Sequence, residues 1–229
     1  MFKKINSGDM RFSFPARTPG FLRKLLPGMH FSIETIEPIV YLTFDDGPVN
    51  LHCQWILECL RQHNAKASFF LVGDNVLKHP ELVRSILEDG HTIGNHTQNH
   101  LNGFQTPTPD YLKNVERCQE ALSAFLPEDM PKMFRPPYGK LLPAQFKAIK
   151  RLGYEIVMWD VLSKDYDQSL EAEDVCNNVI PNTNPGSILV FHDNLKAEKS
   201  LKDALPKILS ELAAKGYRFE ALKFPERKS

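Results

Sequence analysis

The sequence predicts an α/β fold built on a parallel sheet, and three observations carry that reading. From residue 39 onward, short apolar strand-like runs alternate with longer amphipathic helix-like runs. Several of the helical runs carry Pro in the first turn, where its missing N–H is harmless, and several stop at Gly90, Gly153 or Gly216. The length of 229 residues suits one domain of barrel size, which buries roughly 70% of the surface its unfolded chain exposes.

The strand candidates are Ile39–Phe44, Ala67–Val72, Thr92–Gly94, Lys132–Arg135, Glu155–Trp159, Ser187–His192 and a last one near Tyr217–Leu222. Helices are expected at Leu51–His63, Pro80–Glu88, Pro109–Phe125, Pro143–Leu152, Glu171–Val179 and Ser200–Ala214. Periodicity does not decide whether the sheet closes into a barrel or stays open and doubly wound. In both, functional groups belong at the carboxyl ends of strands. No repeat or interior linker interrupts the pattern, so residues 39–229 read as one domain and residues 1–38 as an extension packed on it. Within the extension, Phe21-Leu22-Arg23-Lys24-Leu25-Leu26 reads as a short helix on the domain, with a membrane-surface anchor as the competing reading.

Composition excludes several classes. Lys+Arg and Asp+Glu are both 28, so net charge gives no argument for nucleic acid or an anionic membrane as partner. No stretch is apolar enough for a transmembrane segment. No signal peptide is visible at the start, which makes the cytoplasm the default compartment and leaves export or envelope association open. Cys53, Cys59, Cys118 and Cys176 form no C-x-x-C pair and are expected as buried free thiols. Asn95-His96-Thr97 matches the glycosylation pattern, a three-letter match that is discounted.

Acid, base and metal-ligand residue types fall where the strand candidates end. The first strand leads into Asp45-Asp46-Gly47-Pro48; adjacent carboxylates are costly neighbours unless positive charge lies beside them. The third leads into His96 and His100, which share one face if the segment is helical and can close on one metal. The fourth ends in Arg135-Pro136-Pro137-Tyr138-Gly139. An interior Arg there needs a carboxylate, and Asp45 is the candidate. The fifth leads to Trp159-Asp160 and then Asp165-Tyr166, and the sixth ends in Phe191-His192-Asp193. Each motif alone is a weak signal. Their joint arrival at one rim is not.

Taken in order, Thr43–Pro48, His96–His100, Arg135–Gly139, Trp159–Asp165 and Phe191–Asp193 resemble the five motifs of the polysaccharide deacetylase family. That family is also known as the NodB-homology domain or carbohydrate esterase family four. The resemblance spans about Val40 to Leu222 and implies a distorted, TIM-like (β/α) barrel of about seven parallel strands. It implies metal-dependent hydrolysis of N-acetyl groups from an amino-sugar poly- or oligosaccharide, peptidoglycan- or chitin-like. Asp46, His96 and His100 would hold one divalent metal, Zn by ligand type, with Co, Ni or Mn not distinguished.

By the same resemblance Asp45 is the general base, oriented by Arg135, and His192 the general acid, oriented by Asp165. Pro137 and Tyr138 would meet the substrate, with the Tyr138 backbone N–H facing the oxyanion. Trp159 and Tyr166 would wall the acetyl group or sugar face, although Tyr166 stands where the family commonly has Trp. Two other readings compete: a metal hydrolase of a non-sugar C–N bond such as a cyclic ureide, and a sugar-binding module without catalysis. The retained TFDDGP and RPPYG motifs favour the sugar, and the complete acid, base and ligand set favours an enzyme.

Overall fold

Ile39–Asp45 is a strand because its two faces meet two different cores. Val40, Leu42 and Phe44 turn outward into the large apolar cluster beneath the helices, while Thr43 and Asp45 point to the barrel interior, where both touch Arg135. The computed structural model describes residues 15–126 and 131–225. The signal-peptide reading at the start, the first part of the expected extension and the last four residues of the expected domain lie outside them.

Among the described residues the strands are β1 (Met29–His30), β2 (Ile39–Asp45), β3 (Ala67–Leu71), β4 (Thr92–Asn95), β5 (Met133–Phe134), β6 (Glu155–Val157), β7 (Val161–Leu162), β8 (Ile188–His192) and β9 (Arg218–Phe219). The helices are α1 (Gly20–Leu25), α2 (Asn50–Gln62), α3 (Gly73–Lys78), α4 (Pro80–Glu88), α5 (Thr108–Ser123), α6 (Pro143–Arg151), α7 (Ala172–Val179) and α8 (Glu198–Ala214). The strands form one nine-stranded sheet in the order β1-β6-β5-β4-β3-β2-β8-β7, with β9 beside β2. Every ladder between named strands is parallel.

A single run of chain brings the ends of that sheet together. β6 pairs with β5 and β1, and a few residues later β7 pairs with β8. The sheet therefore curls into the distorted, TIM-like barrel form. Phe70, Met133, Val157, Ile188 and Leu222 pack together inside it. The interior is tight at Gly94, where a Cβ would lie 2.8 Å from the Phe70 ring and 3.1 Å from Met133 Cβ.

The structure adds β1, β7 and α3, which the sequence pattern did not separate. β1 draws part of the expected extension into the sheet. Residues further upstream are tied to the opposite end of the sheet, at β7, through Leu162 N–H to Ala16 O (2.8 Å) and Thr18 N–H to Asp160 O (2.8 Å). The expected short helix is α1, but Phe21 and Leu25 on it are exposed. What fixes it is the ion pair of Arg23 with buried Asp160. All four cysteines are free and buried, and no described helix is long and apolar enough to cross a membrane.

Candidate active site

The parallel register of β2 against β8 pairs Asp45 with His192 directly. Two strands thus deliver a carboxylate and an imidazole to adjacent places on the C-terminal rim. β4 and β5, further round the sheet, lead into His96, His100 and Arg135, and β7 leads into Asp165.

Asp45 is buried, and its Oδ1 accepts from Arg135 Nη1 at 2.6 Å. Arg135 is wholly buried, stacked 4.1 Å over the Phe70 ring, and every nitrogen is engaged. Nη1 also donates to Thr43 Oγ1 (2.8 Å), Nε to Val157 O (3.2 Å) and Nη2 to Met158 O (2.9 Å). Burial pulls the guanidinium below its ordinary pKa and the Asp45 charge opposes that pull. The guanidinium therefore locks one carboxylate oxygen from inside the barrel and leaves the other towards the rim.

Asp46, next in sequence, faces elsewhere because its backbone is left-handed, with φ 78°. This turn resolves the clash of adjacent carboxylates: Asp45 faces a guanidinium and Asp46 faces two imidazoles. Asp46 Oδ1 lies 3.1 Å from His100 Nε2 and 3.5 Å from His96 Nε2. Burial works against the Asp46 charge, but the neighbouring imidazoles of His100, His96 and His192 hold the carboxyl well below the usual range. Asn194 Nδ2 donates to the second oxygen, Oδ2, at 2.6 Å, and Asn75 Nδ2 donates to the Asp46 carbonyl at 2.8 Å.

His96 and His100 converge, but not on a helix as the spacing suggested. The segment after β4 is irregular, and both Thr97 (φ 65°) and His100 (φ 55°) are left-handed. Asn95 stabilises that turn from below: its side chain accepts from Thr97 N–H (2.9 Å) and donates to Val115 O (2.8 Å). Left-handed backbone also occurs at Tyr138 (φ 60°) and at Lys164 (φ 61°), beside Asp165. Each such residue costs on the order of 1–2 kcal/mol, and outside the site it falls, among described non-glycine residues, only at Asn64. Strain concentrated this way marks a functional rim.

The metal reading can be tested on hydrogen-bond chemistry. His96 Nδ1 sits 2.7 Å from the Arg135 carbonyl, which can only accept, so Nδ1 carries the proton. In the neutral ring Nε2 then presents a lone pair towards a carboxylate oxygen. Two acceptors facing each other across 3.5 Å call for a positive charge between them. Asp46 Oδ1 is buried without a well-formed hydrogen bond. The donor atoms of Asp46, His96 and His100 all lie within 4.8 Å of one another, and these three residues fit a divalent cation.

On the other side, His192 Nδ1 meets Asp165 Oδ1 at 2.7 Å while Asp165 Oδ2 accepts the His192 backbone N–H at 2.8 Å. This double contact fixes the ring and turns Nε2 away from Asp165. Burial opposes the imidazolium, but the charges of Asp165, Asp46 and Asp45 outweigh it and raise the pKa to about 9. Tyr166 lies edge-on to the His192 ring at 4.9 Å, and Tyr138 edge-on to His100 at 4.6 Å. Pro137 is buried, and Trp159 presses on Gly139 so closely that a Cβ there would come within 2.6 Å of its ring.

Asp46, His96, His100 and Tyr138 thus meet one another, as do Asp45 with Arg135 and Asp165, His192 and Tyr166 together, while Trp159 packs on Gly139 and Pro137 is buried. Sequence reasoning named Thr43 and Asp193 only as members of motifs, without a role, and did not single out Asn75 or Asn194. Asp193 is buried, donates its backbone N–H to Asp45 O (2.8 Å), and its carboxylate lies against Gly47, bracing the turn that carries Asp46. Burial, with the Asp46 charge adding to it, pushes that carboxyl up to about 7. Strand alternation could have revealed Thr43, two residues before Asp45. The asparagines had no comparable signal.

A curled parallel sheet with a candidate three-donor cation site beside a carboxylate–guanidinium pair and a carboxylate–imidazole pair has the parts that metal-assisted hydrolysis uses. The chain belongs to the polysaccharide deacetylase family, whose model matches residues 32–157. It is 40% identical over 184 residues to a peptidoglycan-N-acetylglucosamine deacetylase of Bacillus cereus, covering 80% of this chain and 66% of that protein. It is 31% identical over 161 residues to a chitooligosaccharide deacetylase of Azorhizobium caulinodans, covering 70% of this chain and 76% of that one. The crystal structure of the Bc1960 peptidoglycan N-acetylglucosamine deacetylase superposes with a TM-score of 0.81 at 37% identity, covering 90% of this chain and 95% of that one.

Proposed function

We propose that the protein hydrolyses the N-acetyl group of an amino sugar in a peptidoglycan- or chitin-like poly- or oligosaccharide and releases acetate. The observation that carries this reading is the direct pairing of Asp45 with His192 across β2 and β8, beside the Asp46–His96–His100 cluster. A base and an acid flanking one cation site is what amide hydrolysis requires, because both the water and the leaving amine need help. Family membership and the names of the relatives support the sugar substrate.

Asp46, His96 and His100 would hold one divalent cation, with Zn favoured by the mixed carboxylate–imidazole set. When bound, such a cation polarises the acetyl carbonyl and makes water a better nucleophile. Asp45 takes the proton from the attacking water; Arg135 Nη1, 2.6 Å from its Oδ1, keeps it aimed. As the carbonyl carbon becomes tetrahedral, the Tyr138 backbone N–H, in the strained Pro137–Gly139 turn, would donate to the developing oxyanion. His192 Nε2 gives its proton to the departing nitrogen as the C–N bond breaks, and Asp165 holds the ring through Nδ1. Trp159, Pro137 and Tyr138 form one wall of the site and Tyr166 the other, apolar surfaces suited to an acetyl methyl and a sugar face.

The test is acetate release from N-acetylated chitooligosaccharides and peptidoglycan fragments, with metal stripped by a chelator and Zn²⁺ restored. Turnover that depends on added metal and is lost in Asp45→Asn is expected. Hydrolysis of an allantoin-type amide with no acetate release from any glycan would overturn the substrate assignment.

A further inference from the structure

Asp46 is held from two sides by asparagines that belong to neither the acid–base machinery nor the ligand set. Asn75 on α3 donates to its main-chain carbonyl at 2.8 Å, and Asn194 donates to its Oδ2 at 2.6 Å from the loop between β8 and α8. The orientation of the Asn194 amide is dictated by its other end: Oδ1 accepts from Lys196 N–H (2.9 Å) and Ala197 N–H (3.1 Å). Backbone donors fix the oxygen, so only the NH₂ can face the Asp46 carboxylate. Oδ2 is thereby occupied, and Oδ1 alone is turned to the two imidazole nitrogens.

We infer that Asn194 is a positioning residue that makes Asp46 a one-oxygen ligand and sets the affinity of the cation site. The inference rests on the metal reading proposed above. A carboxylate free to rotate would lose its pre-set aim at the imidazoles, and the cation would have to order it on binding. Partners of this kind, one bond removed from the metal, typically contribute 10–100-fold in affinity. Because the same side chain caps the turn entering α8, the amide couples the start of that helix to the ligand.

The experiment measures Zn²⁺ dissociation constants by competition with a chromophoric chelator, on metal-free wild type, Asn194→Ala and Asn194→Ser. Serine keeps an acceptor for the backbone donors but cannot reach Asp46, so it carries the test where the alanine variant misfolds. Both folded variants are expected to bind Zn²⁺ roughly 10–100-fold more weakly, with a fall in metal-free stability smaller than the loss of binding free energy. Affinity within twofold of wild type in the serine variant would overturn the inference. So would a weakening matched by an equal fall in metal-free stability, which would assign Asn194 to folding of the turn. Failure of the wild type to bind Zn²⁺ would instead sink the metal reading itself.

Discussion

Replacing Arg135 with methionine probes the interior on which the site stands. Methionine approximates the length of the arginine stem and retains contact with Phe70, but it removes every donor. Asp45 would then hold a buried charge with no guanidinium 2.6 Å away, and the Val157 and Met158 carbonyls would lose their partner. Breaking one side of a buried, hydrogen-bonded ion pair costs about 3–5 kcal/mol. In a domain of this size that corresponds to a fall in melting temperature of roughly 6–20 °C. Asp45→Asn in the same background removes the orphaned charge, so the double variant should recover part of the loss, with a coupling of about 0.5–3 kcal/mol. Urea and thermal unfolding of metal-free protein, with an unchanged m-value, would report it. A loss under about 1 kcal/mol, the range of an exposed pair, would refute the buried-pair reasoning. So would a double variant that merely sums the two single losses.

Three further outcomes are expected. The His192 pKa is raised from its ordinary value to about 9, so activity should persist through neutral pH and fall as pH rises through about 9. The same protonation stabilises the fold fully below about pH 6.5 and is lost through about 9. Asp165→Asn should move this alkaline limb of the pH–rate profile towards neutrality; an unmoved limb would remove Asp165 from its role. Gly94→Ala should cost about 1–3 kcal/mol by overpacking against Phe70 and Met133, and unchanged thermal unfolding would show that the interior gives. His100→Ala should lose bound metal by elemental analysis, and undiminished content would exclude His100 as a ligand.

Much of this architecture was readable before any coordinates, for a physical reason. β2, β3 and β8 are long enough for their apolar faces to register, and α4 was placed at its observed bounds because Pro80 and the turn at Gly90 punctuate it. Two-residue strands such as β1 and β7 have no period to read; their existence depends on partners far along the chain. α3 is short and opens on a glycine, so local propensity argued against it. At the site, motifs located Asp45, Asp46, His96, His100, Arg135, Asp165 and His192. They did not tell how His96 and His100 converge, because left-handed turns at Thr97 and His100 replace the helix that i, i+4 spacing suggests. Asn194 was invisible for a different reason. Its work depends on a contact with a residue 148 positions away, and an asparagine in a loop looks like any turn residue.

Anomalous diffraction at the zinc edge, from crystals loaded with Zn²⁺, bears most directly on the cation site. The predicted result is one peak about 2.0–2.2 Å from Asp46 Oδ1, His96 Nε2 and His100 Nε2, with Asp45 and His192 alongside but not bonded to it. A peak elsewhere, or one enclosed by four protein ligands with no room for water, would contradict the account.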